Sequence, residues 1–250
     1  MHLKCIACDV LARPVYLCAA HSPHIIDVEL VPYGLHTTPN KLREKLQGLI
    51  AAAAEQDRYD GVLLAYGLCG KATHGLRAVS LPLVVPRAHD CITLFLGGRD
   101  RYDREFQACP GTYWYVQDFI ERGDAQDIPL SIGANTAADA DALYAEYVQK
   151  YGKDNADYLM EVMGAWQGHY TRAAFIQMTA GNGRRTAEQA REDARRRGWT
   201  FEQVVGNLVL VKKLLDGVWD EDFLTVAPGE SIEMIGGKDI IRRVAPPGND

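Results

Sequence analysis

The sequence predicts an α/β protein: two Rossmann-like parallel-sheet lobes around a cleft. Three observations predict it. Short apolar runs alternate with helical stretches, the segments between runs are long enough for crossovers rather than hairpins, and the rhythm starts again in the second half of the chain. Parallel strands linked in this way form a sheet covered by helices on both faces. A first lobe is expected over residues 1–120 and a second over residues 121–250, with the last helices packing back across the cleft.

Taken in order, residues 3–8 form an apolar run that reads as a strand. Residues 15–20 are helical in character, with Pro14 tolerable only in the first turn, and residues 25–31 read as a second strand. A clear helix follows: Thr38 stands at the N-cap, Pro39 at the first helical position, and Leu42, Leu46, Leu49 and Ile50 repeat at helical spacing. Residues 61–66 and 81–85 are further strands, and residues 92–96 a short helix. In the second half, helices are expected around Ala140 to Val148 and over 157–163, strands over 173–178, 201–205 and 223–227, and a helix over 208–215. Thr186 with Gln189 reads as a capping box for an Arg-rich helix.

The bulk composition excludes several classes. The chain of 250 residues is 47% hydrophobic and 24% charged, and no apolar run approaches the roughly 20 residues of a membrane helix. Its net charge of −6 disfavours a nucleic-acid partner. The Arg cluster from Arg184 to Arg197 is interleaved with Glu188, Glu192 and Asp193, the pattern of a solvated helix face. The first residues enter a strand-like segment at once, without a secretory pattern, so a cytoplasmic location is expected. In that compartment six cysteines are not a disulfide framework, and some become candidates for metal binding.

Ligands of open parallel sheets sit beyond the carboxyl ends of the strands. Cys8 closes the first predicted strand, Cys69 follows the third, and His89 and Cys91 follow the fourth. Parallel neighbours lie about 4.8 Å apart, so strand ends can present these side chains to one ion; zinc bonds sulfur at about 2.3 Å. The expected metal ligands are therefore Cys8, Cys69, His89 and Cys91, with His89 and Cys91 as the catalytic candidates. Cys5 points to the opposite face of its strand and reads as core, as does Cys18. Arg87, Tyr113, Trp114, Glu161 and His169 are the candidate ligand-binding residues, Tyr113 and Trp114 as an apolar wall with polar handles.

Ala7-Cys8, Tyr66-Gly67-Leu68-Cys69-Gly70, Arg87-Ala88-His89-Asp90-Cys91 with Phe95 and Gly97, and Pro110-Gly111-Thr112-Tyr113-Trp114 resemble the bacterial and archaeal family called domain of unknown function 1638. The resemblance covers most of the chain. It implies that Cys8, Cys69, His89 and Cys91 carry the family's cysteine–glycine and histidine–cysteine motifs. Members are said to occur beside corrinoid-dependent methyltransferase systems, which implies a partner of that kind.

The expected function is a cytoplasmic zinc-binding protein, an enzyme activating a small thiol or methyl-group substrate linked to corrinoid methyl transfer. A three-thiolate set suits thiol exchange better than the generation of hydroxide. Two alternatives use the same residues: a non-catalytic two-lobed protein binding a small ligand or a corrinoid, and an iron–sulfur protein.

Overall fold

A computed structural model describes residues 1–69, 71–122, 148, 153, 170–235 and 237–245. The chain is mixed α/β with parallel sheets, as the alternation predicts, and divides into two compact units. The helices expected over 140–147 and 157–163, together with Glu161 and His169, lie outside the described residues.

The first unit comprises Met1–Asp103, Thr179–Gly181 and Gly206–Asp250. Its five-stranded sheet contains β1 (His2–Cys8), β2 (Ile25–Val31), β3 (Gly61–Ala65), β4 (Leu83–Pro86) and, near the end of the chain, β8 (Phe223–Val226), in the order β2-β1-β3-β4-β8. The first four are parallel and β8 runs antiparallel to β4. β3 and β4 are buried throughout, which is why they read as unbroken apolar runs; β2, at the edge, is only partly covered. Helix α1 (Ala12–His21) takes Pro14 in its first turn, where a missing N–H costs little. Helix α2 (Pro39–Ala54) buries Leu42, Leu46, Ile50 and Ala53 along one stripe. Thr38 stands before α2 as expected, yet its hydroxyl donates to Leu35 O at 3.3 Å instead of capping the helix.

Two short helices, α3 (Cys91–Leu96) and α4 (Arg99–Ala108), follow β4. The chain then builds the second unit, Arg104–Met178 with Asn182–Val205. There β5 (Thr112–Val116), β6 (Arg172–Gln177) and β7 (Thr200–Val205) form a parallel sheet in the order β5-β6-β7. Helices α5 (Gln117–Arg122) and α6 (Arg184–Arg197) belong to this unit, whose core joins Tyr113, Tyr115, Phe175, Ala187, Ala190 and Ala194. The expected capping box is not formed. Helix α6 starts at Arg184 behind Gly183, and the buried Thr186 hydroxyl donates to Gly183 O at 3.0 Å. The acidic residues on α6 hold the Arg cluster as anticipated, with Asp193 pairing both Arg196 and Arg197.

The division is not a single cut near residue 120. The chain returns to the first unit through α7 (Val209–Leu215), which packs on α1, then β8, then a hairpin of β9 (Ser231–Met234) and β10 (Ile241–Val244). An antiparallel edge strand and a terminal hairpin carry weak sequence signals: β9 and β10 are four residues each, and β10 exposes three of its four. No helix among the described residues is long and apolar enough to cross a membrane.

Candidate metal centre

The strand order 2-1-3-4 reverses direction between β1 and β3, and it is at such a switch point that the loops leaving the carboxyl ends part and open a crevice. Cys8 is the last residue of β1. From β3 the chain runs through Tyr66, Gly67 and Leu68 to Cys69, and from β4 it runs through His89 and Asp90 to Cys91 at the start of α3.

The second and third of these loops are locked together by their backbones. Leu68 N donates to Ala88 O at 2.8 Å and Cys69 N to His89 O at 3.1 Å. A side chain at Gly67 would meet the Cα of Asp90 at 2.5 Å, so only glycine allows the approach. Cys69 itself has φ of 44°, a left-handed conformation uncommon for a residue with a Cβ. Asp90 fixes the entry to α3: its Oδ1 accepts from Ile92 N at 3.0 Å and Thr93 N at 3.4 Å, and its Oδ2 from the Tyr102 hydroxyl at 3.3 Å.

Cys69 and Cys91 both respond to burial and to their charged neighbours. Burial pushes the Cys69 pKa up, and the neighbouring Cys8 sulfur and Asp90 carboxyl push it further. Cys91 is raised by burial, then by Asp90, Cys69 and Cys8. The Tyr66 phenol is raised by burial and by Cys8 and Cys69, and its hydroxyl, deeply buried, has no partner in hydrogen-bonding geometry. Three sulfurs and one orphaned donor thus share a neighbourhood at the switch point.

As placed, among the described residues, no group of three or more His, Cys, Asp or Glu side chains is arranged to hold a metal ion. Protonated thiols carry no charge that would draw them together; a bound cation would displace their protons and hold the resulting thiolates together against their repulsion. The residues fit such an ion in kind: soft sulfur donors, a strained Cys69, and a buried phenol with a free donor beside Cys8.

His89 lines a cavity of about 300 Å³. Its ring centroid lies 6.0 Å from that of Tyr102.

A family model described as a protein of unknown function (DUF1638) matches residues 30–215. The chain belongs to this family. No curated protein and no solved structure matches it. Within this DUF1638 chain, Cys69, His89 and Cys91 fall inside the matched span and Cys8 precedes it.

The other expected ligand-binding residues have different places. Arg87 directs its guanidinium to Asp239 O at 2.9 Å and to Ile241 O, tying β10 to the end of β4. Tyr113 packs in the core of the second unit against Tyr115, Tyr170 and Trp199, and Trp114, also buried there, lies under the Arg172 guanidinium at 5.6 Å. Cys5 and Cys18 are inert core thiols, raised by burial to about 12 and about 11. Sequence reasoning missed the Tyr66 hydroxyl, the cap formed by Asp90 and the part played by Tyr102. An Asp directly before an apolar helical run was a usable signal for the cap. Nothing in the sequence marked Tyr66 or Tyr102 as neighbours of the thiols.

Proposed function

We propose that this DUF1638 protein holds one zinc ion on Cys8, Cys69 and Cys91 and activates a small thiol for transfer of a methyl group. The observation that carries the reading is that Cys8 ends β1, and that the loops bearing Cys69 and Cys91 leave the neighbouring strand ends and are bonded to each other, beside the switch point of the parallel sheet. Three protein ligands leave a fourth position open, the feature that separates catalytic from structural zinc, and the bound ion lowers the pKa of a thiol that takes that position.

The chain's own residues do the remainder. The unpartnered Tyr66 phenol would donate to the Cys8 sulfur once it is a thiolate, Asp90 holds the Cys91 loop, and burial keeps water from Cys8 and Cys91. His89, on the cavity wall, takes the proton of the incoming thiol. The substrate sulfur then forms its bond to carbon as the donor's bond to the methyl group breaks, and that electron pair leaves with the donor. A methylated corrinoid is the donor class we assign.

The test combines metal analysis with methylation of 2-mercaptoethanol by methylcobalamin. Wild type is expected to carry zinc and accelerate the transfer, Cys69→Ser to lose both, and His89→Gln to keep the metal while slowing transfer about a hundredfold. Unchanged metal content and transfer in Cys69→Ser would contradict the proposal. A brown protein after anaerobic purification would assign the sulfurs to an iron–sulfur cluster instead. Zinc without turnover, but with tight cobalamin binding, would make this a corrinoid-binding accessory protein.

A further inference from the structure

Cys91 is the first residue of α3, a helix of six residues, so its place depends on how that helix begins. Asp90 is the N-cap, and its Oδ1 accepts from both Ile92 N and Thr93 N. A helix this short has no long run of bonds to hold its first turn once the cap is lost. The second oxygen, Oδ2, accepts from the Tyr102 hydroxyl at 3.3 Å; among the described residues this is the one side chain that donates to Asp90. Tyr102 belongs to α4, and the corner between the two helices brings it back onto the start of α3. There Gly97 has φ of 86°, the amides of Gly97 and Gly98 both donate to Thr93 O at 3.1 Å, and a Cβ on Gly97 would meet that of Asn207 at 2.7 Å. Tyr102 and His89 also line the same cavity, whose other walls include Thr93, Arg99, Lys238 and Ile240. One side chain thus stands against both the residue that takes the proton and the residue that holds the Cys91 loop.

We propose that Tyr102 is a positioning residue of the metal centre: by holding the second oxygen of Asp90 it fixes the carboxylate that begins α3, and with it Cys91. This rests on the zinc–thiol reading for what Cys91 binds, but not for the hold on the cap. A carboxylate anchored at both oxygens cannot rotate about its Cβ–Cγ bond, whereas one bonded to the helix alone can, and each rotation frees the amides of Ile92 and Thr93. At 3.3 Å the Tyr102 bond is longer than the usual O–H···O distance, so its loss is expected to loosen the cap and not to unfold the helix. Metal affinity responds to loosening of that kind. Three sulfurs from separate segments must reach one ion at about 2.3 Å, and groups that orient a ligand without touching the ion change affinity by about 10–100-fold when removed.

Two substitutions isolate the bond. Tyr102→Phe keeps the ring and removes the hydroxyl, and Asp90→Ser keeps a capping oxygen but leaves none for Tyr102. Tyr102→Phe is expected to lower zinc affinity about tenfold in competition with a chromophoric chelator, with little change in thermal midpoint. It should also weaken the sulfur-to-metal charge-transfer band when cobalt replaces zinc, a signature that a purely structural role would not move. Added to Asp90→Ser, where the bond is already gone, Tyr102→Phe should change neither quantity. An equal loss of affinity in both backgrounds, or zinc bound as tightly by Tyr102→Phe as by wild type, would overturn the assignment. Hydrogen exchange of the metal-free protein separates it from the zinc reading. The Ile92 and Thr93 amides should exchange about tenfold faster in Tyr102→Phe than in wild type, and no faster in the double variant than in Asp90→Ser. That pattern in a protein that takes up no zinc would sink the zinc–thiol reading and leave Tyr102 as the residue that places Cys91, whereas exchange unchanged by Tyr102→Phe would overturn the positioning role itself.

Discussion

The two units treat buried polar groups in opposite ways. In the second, Arg172 is buried under the sheet end, and every arm is engaged: Nε donates to Thr112 Oγ1 at 2.8 Å, Nη2 pairs with Glu105 at 2.9 Å and Nη1 with Glu202 at 3.0 Å. Tyr115 donates to Asp193, and Thr186 to Gly183 O. In the first unit, Tyr66 Oη, Thr73 Oγ1, Thr93 Oγ1 and Arg99 Nε are buried without partners, and among the described residues every such side-chain atom lies in that unit. A group left unsatisfied costs about 1–3 kcal/mol. Tyr66 neighbours the thiols, so among the described residues the second unit satisfies its buried polar side chains while the first keeps a donor open where we place the metal.

Substitutions turn this contrast into numbers. Arg172→Met in the second unit is expected to cost about 3 kcal/mol by denaturant unfolding, because it strands Glu105, 20% exposed, beside buried neighbours; the more exposed Glu202 adds little. In the first unit, Gly67→Ala should cost about 2 kcal/mol, since its new Cβ drives the Cys69 loop off the backbone of Asp90, and metal content should fall with it. Tyr66→Phe removes a buried polar atom just as Arg172→Met does, but with the opposite sign. Unfolding should show it unchanged or more stable by about 1 kcal/mol, while zinc affinity drops about tenfold. A loss of stability there as large as at Arg172 would erase the distinction.

The smallest effect concerns the amino end of the first sheet, where polar groups are paired. Asp27 accepts from the Tyr59 hydroxyl at 2.8 Å and pairs with His2 at 3.1 Å and Arg58 at 2.7 Å. The Tyr59 bond holds its pKa below the usual carboxylate range, opposed by burial and helped to a smaller extent by His2 and Arg58. A carboxylate depressed on folding stabilises above its unfolded pKa of about 3.9 and loses that contribution as pH falls through the folded value. With a side chain about one-third exposed, the contribution is about 0.5 kcal/mol. Unfolding of Asp27→Asn between pH 6 and pH 3 should therefore show a shallower acid slope than wild type.

How much of this was legible in the sequence depended on range. The buried runs of β1, β3 and β4 and the Leu42, Leu46, Ile50 stripe of α2 announced themselves through local periodicity, and strand ends then assigned Cys8, Cys69 and Cys91 to the carboxyl edge of one sheet. Strand β5 was hidden because Thr112 to Val116, aromatic and buried, followed Pro110-Gly111 and resembled a turn. The cavity was out of reach for a different reason. Ile240 and Lys238 reach Thr93 and Arg99 only after the chain has built the second unit and returned, and an unpaired Nε–H is a property of packing that no spacing records. Tyr113 and Trp114 show the converse error: aromatic residues near a suspected site were read as its wall, whereas both are interior to the second sheet.

X-ray absorption at the zinc edge of the purified wild-type protein examines the sulfur set itself. We expect about one zinc per chain with three sulfur neighbours near 2.3 Å and one lighter atom in the remaining place. A shell of oxygen and nitrogen alone, or protein that takes up no zinc with Cys8, Cys69 and Cys91 reduced, would contradict the assignment.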